Sequence, residues 1–249
     1  NEEIEISEYK FREDDLRGAW VSNVANIDTP RGLGIDEYKK ALDRIIETAA
    51  SYNMNALIFQ VRPTNDAYYP SKLNPWSKFI TGVEDQDPGF DVLQYVIDEA
   101  GKYGIRIHAW MNPYRVGIEA IDKYGSKEAY LETLSEKNFA RRHPEHTILD
   151  GTNKVILSPS HPEVIEFVTE TIMEVVNNYD IDGVHIDDYF YPYAKISEEL
   201  EKEDYLKYRE CECQSFDDFR RANVDRMIKS IHDAMKNSLN KKGKKIEFG

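Results

Sequence analysis

The segment DGVHIDDYFYP, residues 182–192, decides the fold, because a short β-type run leads directly into two adjacent aspartates. Neighbouring carboxylates repel each other, so a purely structural strand end rarely carries two of them. Three aromatic residues and a proline follow. In parallel α/β folds, catalytic groups collect at the carboxyl ends of strands, and the segment therefore predicts a strand that ends in a functional site.

Around this segment, β-type runs alternate with helical patterns along the chain. The predicted strands are residues 18–24, 56–61, 105–111 and 183–188, and KIEFG at residues 245–249 begins a fifth. Alternation of nearly continuous apolar strands with helices predicts a parallel sheet that is covered by helices.

The lengths of the connections indicate which end of the sheet carries the chemistry. Links from helix to strand are short, whereas links from strand to helix are long, at residues 62–89, 112–160 and 189–214. No G-x-G-x-x-G motif follows the first strand, which argues against a dinucleotide-binding open sheet. We therefore predict an α/β fold of the TIM-type (β/α)8 barrel class.

The chain contains too few strands for a whole barrel. It covers about the first four to five βα units, and we expect it to be truncated. On this interpretation residues 1–16 are an N-terminal extension, and residues 17–249 are a barrel domain that is incomplete at its C-terminus.

Composition excludes several classes of partner. The formal net charge is −14, which disfavours nucleic acid and anionic membrane surfaces. No apolar run approaches the length of a transmembrane helix. Cys211 and Cys213 are too close for an unstrained disulfide and too few for a zinc site, so we interpret them as incidental thiols.

Side chains alternate across a strand, so residues two apart share a face. This rule predicts a set of inward-facing polar residues at the strand tips: Gln60 and Arg62; His108, Trp110 and Asn112; His185 and Asp187. The pleat sends Asp188 to the other side, at the rim. We expect Arg62 to keep Asp187 ionised. The alternative is that these two residues form a buried structural ion pair.

The predicted site has catalytic and substrate-binding members. Asp187 is the candidate nucleophile or oxocarbenium stabiliser of a glycosidase, with Asp188 as a further catalytic candidate. Flat aromatic faces suit sugar rings, and amide, imidazole and charged groups suit hydroxyls or an N-acetyl group. The substrate-binding candidates are Gln60, Arg62, Asp66, His108, Trp110, Asn112, Tyr114, His185 and Tyr189. We expect no cofactor and no metal.

Four segments carry a resemblance to a known family. They are RGAWVSNVANID (17–28), NALIFQVRPTNDAYYPSKLNPWSKFITG (55–82), PGFDVLQYVIDEAGKYGIRIHAWMNPYRV (88–116) and YDIDGVHIDDYFYP (179–192). In this order they resemble the glycosyl hydrolase-like family 10 proteins of bacteria. The resemblance implies a TIM-barrel glycosidase that acts on polysaccharide, including peptidoglycan glycan strands, and that is exported to the cell envelope.

A weaker resemblance connects the fourth strand to the α-amylase-like clan, in which a Gly-x-Arg-x-Asp motif supplies the nucleophile. Here GVHID places His185 where that arginine would be. In such barrels the general acid follows the fifth strand, so we expect it to lie beyond Gly249 and this fragment alone to be inactive.

Two other functions stay open at this point. A metal-dependent polysaccharide deacetylase would use His108, His185, Asp187 and Asp188 as ligands, although no H-E-x-x-H spacing is present. A glycan-binding protein without activity would keep the cleft and lack the acid.

Overall fold

The computed structural model describes residues 15–187, 189–210, 212 and 214–249. Most of the predicted N-terminal extension, and also Asp188, Cys211 and Cys213, lie outside the described residues. The strands are β1 Gly18–Val21, β2 Ala56–Arg62, β3 Arg106–Met111, β4 Arg115–Ala120, β5 Thr147–Leu149, β6 Lys154–Leu157, β7 Gly183–Ile186 and β8 Glu247–Phe248. The α-helices are α1 Ile35–Ser51, α2 Lys78–Thr81, α3 Val92–Gly101, α4 Lys127–Glu132, α5 Phe139–Arg142, α6 Pro162–Asn178, α7 Lys202–Tyr208 and α8 Phe216–Met235.

The main sheet is parallel and follows the predicted order. Its five strands lie in the order β1-β2-β3-β7-β8, and every neighbouring pair is parallel. Parallel neighbours in chain order, connected by helices, are the arrangement of a TIM-type barrel, and the described sheet is a part of such a barrel. Two strands end earlier than predicted, since β1 ends at Val21 and β7 at Ile186.

The helices pack on one face of this sheet. In α1 the buried residues are Tyr38, Leu42, Ile46 and Ala49, at the spacing of one helical face. They belong to the same core cluster as apolar residues of the strands, such as Ile107 of β3 and Val184 of β7. Ile107 and Val184 therefore face the helices, as predicted, and the residues that alternate with them, such as His108 and His185, lie on the opposite, inner face of the sheet.

The long connection at residues 112–160 is not a simple loop. It contains an antiparallel sheet in the order β4-β6-β5, together with the short helices α4 and α5. Three short strands with turns between them leave little periodic signal in a sequence. This small sheet stands between β3 and α6, at the end of the main sheet where the predicted site lies.

Among the helices of the described residues, none has the length and apolar character that crossing a membrane requires.

Candidate active site

Asp187 follows the last residue of β7 and is held by three hydrogen bonds from two donor groups. The Nδ2 of Asn112 donates to both carboxylate oxygens, at 2.7 and 2.8 Å. The backbone N–H of Tyr189 donates to Oδ1 at 3.2 Å. An ionised carboxylate only accepts hydrogen bonds, so this arrangement suits a charged Asp187 whose position is fixed.

A chain of buried amides supports Asn112 from the neighbouring strands. Gln60 Oε1 accepts from the backbone N–H groups of Asn23 and Val24, at 2.7 and 2.8 Å. Gln60 Nε2 then donates to Asn112 Oδ1 at 2.6 Å. Gln60 and Asn112 are both 0% exposed. The tips of the first, second, third and fourth parallel strands are thus connected by hydrogen bonds that end at Asp187.

Two tryptophan rings lie near these hydrogen-bonded amides on the inner face of the sheet. The Trp20 ring lies edge-on to Trp110, with the centroids 4.9 Å apart, and edge-on to His185 at 5.8 Å. Trp20 is 52% exposed. The two indoles therefore offer planar apolar surface beside His185, which is the chemistry of a sugar-binding surface.

His108 and His185 are paired across the strands. The Nδ1 of His108 lies 2.8 Å from the Nε2 of His185. Burial lowers the pKa of His108, and the neighbouring His185 lowers it further; burial also lowers the pKa of His185. Two imidazoles that share one hydrogen bond and are partly desolvated favour the neutral form, with one ring donating to the other.

Tyr189 joins Asp187 to two residues that the sequence interpretation missed. The Arg115 guanidinium lies 4.8 Å from the centroid of the Tyr189 ring, and its Nη1 donates to Asn112 Oδ1 at 3.1 Å. The Tyr189 hydroxyl donates to Asp150 Oδ2 at 3.2 Å. Burial, with the adjacent Asp150, raises the pKa of Tyr189 to about 12. Arg115 follows directly after Asn112, Pro113 and Tyr114 at the end of the third strand. This position beside the predicted site is the feature of the sequence that could have identified Arg115 as a site residue.

The prediction that Arg62 faces Asp187 is wrong. The register of β2 against β3 passes from Gln60↔Trp110 to Arg62↔Met111, so Val61 is an extra residue, a β-bulge. A bulge reverses the side on which the next residue points. Arg62 is 1% exposed, and its Nη1 donates to the carbonyl of Asn112.

The new direction of Arg62 takes it into the core. Its guanidinium lies 5.7 Å from the Phe167 ring of α6, and its Nη2 donates to Asn65 Oδ1 at 2.6 Å. The alternative of an ion pair between Arg62 and Asp187 is wrong for the same reason. Arg62 supports the backbone of the third strand tip, and Arg115 brings the positive charge to this part of the site.

Asp66 and Tyr114 are also buried instead of lining the rim. Asp66 is 2% exposed and accepts from the backbone N–H of Thr64 at 3.0 Å. Burial raises the pKa of Asp66. Tyr114 is 0% exposed and belongs to the core, so its ring has no open face for a sugar. The structure brings together Gln60, His108, Trp110, Asn112, His185, Asp187 and Tyr189, and it separates Arg62, Asp66 and Tyr114 from them.

The structure gives no support to the metal ligands of the deacetylase alternative among the residues it describes. Within that part of the chain, the groups of histidine and carboxylate residues with metal-binding spacing are His143, Glu145 and His146, and His146, His161 and Glu163. Neither group includes a residue of the predicted site.

The fold and site define this chain as part of a TIM-type α/β barrel with a carboxylate and aromatic residues at the strand tips. An α-L-fucosidase from Paenibacillus thiaminolyticus superimposes with a TM-score of 0.58 at 15% identity, over 94% of this chain and 32% of the other. A chitobiase from Flavobacterium johnsoniae gives a TM-score of 0.52 at 13% identity, over 94% of this chain and 31% of the other. At these identities the likeness is one of fold.

The sequence places the chain more closely: it belongs to the family described as Glycosyl hydrolase-like 10, which matches residues 15–241. The glycosyl hydrolase YngK of Bacillus subtilis is 40% identical over 225 residues, which are 89% of this chain and 42% of that protein. The glycosyl hydrolase DigH of Escherichia coli K12 is 33% identical over 246 residues, or 94% of this chain and 54% of that protein. The chain thus spans about half the length of these relatives.

Proposed function

We propose that this chain forms part of the catalytic barrel of a glycoside hydrolase that acts on a bacterial cell-wall or related polysaccharide, with Asp187 as nucleophile or stabiliser of the oxocarbenium-like transition state. The observation that carries the proposal is the fixation of Asp187 by both Nδ2 contacts of Asn112, at 2.7 and 2.8 Å. A glycosidase needs one carboxylate that stays charged and positioned while positive charge develops on the sugar.

The surroundings of Asp187 fit a sugar substrate. Trp20 and Trp110, whose rings are in edge-on contact, and the Tyr189 ring beside Arg115 provide aromatic surface for pyranose rings. The Arg115 side chain adds a positive charge beside Tyr189 and Asn112. The net charge of −14 disfavours a polyanionic substrate and is compatible with a neutral glycan.

The remaining parts of the mechanism belong to the same proposal. Hydrolysis needs a second carboxyl group, about 5 Å from the first for retention of configuration and about 6.5–9.5 Å for inversion. We propose that the whole protein supplies it from a segment outside these 249 residues. The names of the relatives, both glycosyl hydrolases, support a carbohydrate substrate. Export to the bacterial cell envelope, and peptidoglycan glycan strands as the substrate, are proposed with it.

The test is hydrolysis by the full-length protein and its Asp187→Asn variant. Each is incubated with purified peptidoglycan glycan strands, with and without stem peptides, and the products are separated by mass. We expect cleavage by the wild type, loss of turnover in the variant, and glycan binding that changes by less than about tenfold, or 1.4 kcal/mol. Asp233→Asn on the exposed side of α8 is the matched control, and it should cleave like the wild type.

Three outcomes would overturn parts of this proposal. Undiminished cleavage by Asp187→Asn would remove Asp187 as the essential carboxylate. Binding without cleavage by the wild type would identify a glycan-binding protein, and release of acetate without chain cleavage would identify a deacetylase.

A further inference from the structure

Away from Asp187 and its hydrogen-bond partners, three side chains form a compact cluster of metal-ligand types. His146 ends the 3-10 turn Pro144–His146, His161 is the residue before α6, and Glu163 lies in the first turn of that helix. One ligand atom from each lies within 4.8 Å of the others. The imidazole centroids of His146 and His161 are 4.6 Å apart. The turn and the helix start thus bring two imidazoles and a carboxylate to one place.

Both imidazoles have a buried nitrogen that lacks a hydrogen-bond partner among the described residues. These atoms are His146 Nδ1 and His161 Nδ1. A buried polar atom left without a partner costs about 1–3 kcal/mol, so two in neighbouring rings call for an explanation. The side chain of His161 also makes no capping hydrogen bond to α6. Capping of the helix therefore does not account for its position.

The contact of the opposite ring nitrogen indicates the tautomer of His161. His161 Nε2 lies 3.3 Å from Asp204 Oδ2, an acceptor, so Nε2 carries the proton and Nδ1 keeps a lone pair. His146 Nε2 lies 3.6 Å from Glu145 Oε1, a charge contact that is longer than a hydrogen bond. Asp204 itself accepts a hydrogen bond from the Ser160 hydroxyl. A carboxylate behind the imidazole is the usual way in which proteins orient a metal-binding histidine.

We propose that His146 Nδ1, His161 Nδ1 and the Glu163 carboxylate bind one divalent transition-metal ion of the Zn²⁺ type. Two imidazoles and one carboxylate are a standard donor set for Zn²⁺, and water completes the tetrahedron. Ligand atoms about 2.1 Å from such an ion lie about 3.4 Å from one another. Closing from 4.8 Å needs side-chain movement of about an ångström, which the exposed Glu163 can supply.

Such an ion would have a structural role next to the active site. It would join the turn at His146, and β5 after it, to the start of α6, and through Asp204 to α7. β5 leads directly to Asp150, which accepts a hydrogen bond from the Tyr189 hydroxyl. The ion would therefore hold the small antiparallel sheet that forms one wall around Asp187, without contacting substrate.

The test measures Zn²⁺ binding by the purified full-length protein after a chelator has stripped it. Isothermal titration with ZnCl₂ should show a binding event in the wild type that Glu163→Gln and His161→Ala each weaken by at least about tenfold. Zn²⁺ should also raise the Tm of the wild type and raise it less in these variants. His232→Ala, at an exposed histidine of α8, is the matched control and should bind like the wild type.

His143→Ala distinguishes the proposed ligands from the neighbouring group of His143, Glu145 and His146. It should leave the affinity unchanged. His161→Ala also removes the contact of His161 with Asp204. Glu163→Gln is therefore the cleaner test of the site, since it leaves the packing unchanged, and the Tm of its metal-free form shows that this variant is folded. Wild-type affinity in Glu163→Gln, loss of binding in His143→Ala but not in His161→Ala, or no Zn²⁺ binding by the wild type would each overturn the proposal.

Discussion

The substitution Asn112→Asp tests the support of Asp187 without changing side-chain size. The new carboxylate keeps an oxygen for Gln60 Nε2 and for Arg115 Nη1. It replaces the nitrogen that lies 2.7 and 2.8 Å from the two oxygens of Asp187. Two donor contacts therefore become a repulsion between like charges, while the shape of the core is unchanged.

The magnitude follows from these contacts. Hydrogen bonds to a charged group contribute about 1.5–3 kcal/mol. Two unit charges about 4 Å apart interact by about 4 kcal/mol at an effective dielectric constant near 20. Because Asp187 is half-buried, solvent screens part of this repulsion. We expect the free energy of unfolding to fall by about 4 kcal/mol at pH 7, which lowers Tm by about 8–16 °C at 2–4 °C per kcal/mol.

The loss should depend on pH in one direction. The paired carboxyls of the variant share a proton more readily than isolated ones, so their pKa in the folded state is raised above the unfolded value near 3.9. The folded variant then binds more protons than the unfolded chain, and the penalty, complete at neutral pH, shrinks as the pH falls through the raised pKa. Near pH 4 the shared proton restores a hydrogen bond, and the difference from wild type should fall to about 1 kcal/mol.

The assay is urea unfolding of wild type and variant at pH 7, 5.5 and 4. Asn153→Asp is the matched control, since Asn153 Nδ2 donates to Asp122 Oδ1 at 3.2 Å in an exposed position. There the same exchange should cost no more than about 0.5 kcal/mol. If Asn112→Asp loses the same stability at every pH, or no more than the control, the charged and buried character assigned to this contact is wrong.

Two further predictions concern the histidine pair. Gly183→Ala should lower the free energy of unfolding by about 1–3 kcal/mol, because a Cβ there would lie 2.3 Å from His108 Nδ1. The control is Gly101→Ala in α3, where a Cβ meets open space and should raise the free energy of unfolding by about 0.5–1 kcal/mol. Equal effects of the two substitutions would contradict the close approach of Gly183 to His108. Burial lowers the pKa of His108 and His185 in the folded state, so the unfolded chain binds more protons below its value near 6.5. The stability that the two neutral histidines contribute is therefore complete above that pH and is lost as the pH falls. Between pH 7 and 5, the Tm should drop by less in His185→Gln than in the wild type. An equal drop would argue against the histidine pair as the cause of the pH dependence.

Much of the site could be predicted because strand parity is a local rule. His108 and Trp110 in β3 and Asn112 directly after it lie two residues apart, and the side chains that they contact across the sheet confirm the shared inner face. Asp187 holds its predicted place at the tip of β7. These residues lie in regular strands or directly after them, and the apolar neighbours in the strands pack on the helices, so periodicity in the sequence predicts their direction.

The errors arose where pairing between strands decides the geometry. Nothing local in the run from Gln60 to Arg62 marks Val61 as an extra residue, because a bulge is defined by the partner strand. Arg115 and Asp150 were missed because their positions depend on an antiparallel sheet of three short strands. Asp66 and Tyr114 are polar or amphipathic residues in two long connections, where the sequence predicts exposure and the fold of each connection provides burial.

The amides of Gln60 and Asn112 all point the same way, with each oxygen toward β1 and each nitrogen toward Asp187. If one of the two side-chain amides were turned around, a donor would face a donor, or an acceptor would face an acceptor, at the neighbouring residue. Substitutions at positions 60 and 112 should therefore show strong epistasis, since a change at either is tolerated only with a matching change at the other. Laboratory evolution of this site would have to leave both residues in place or exchange them in a single step.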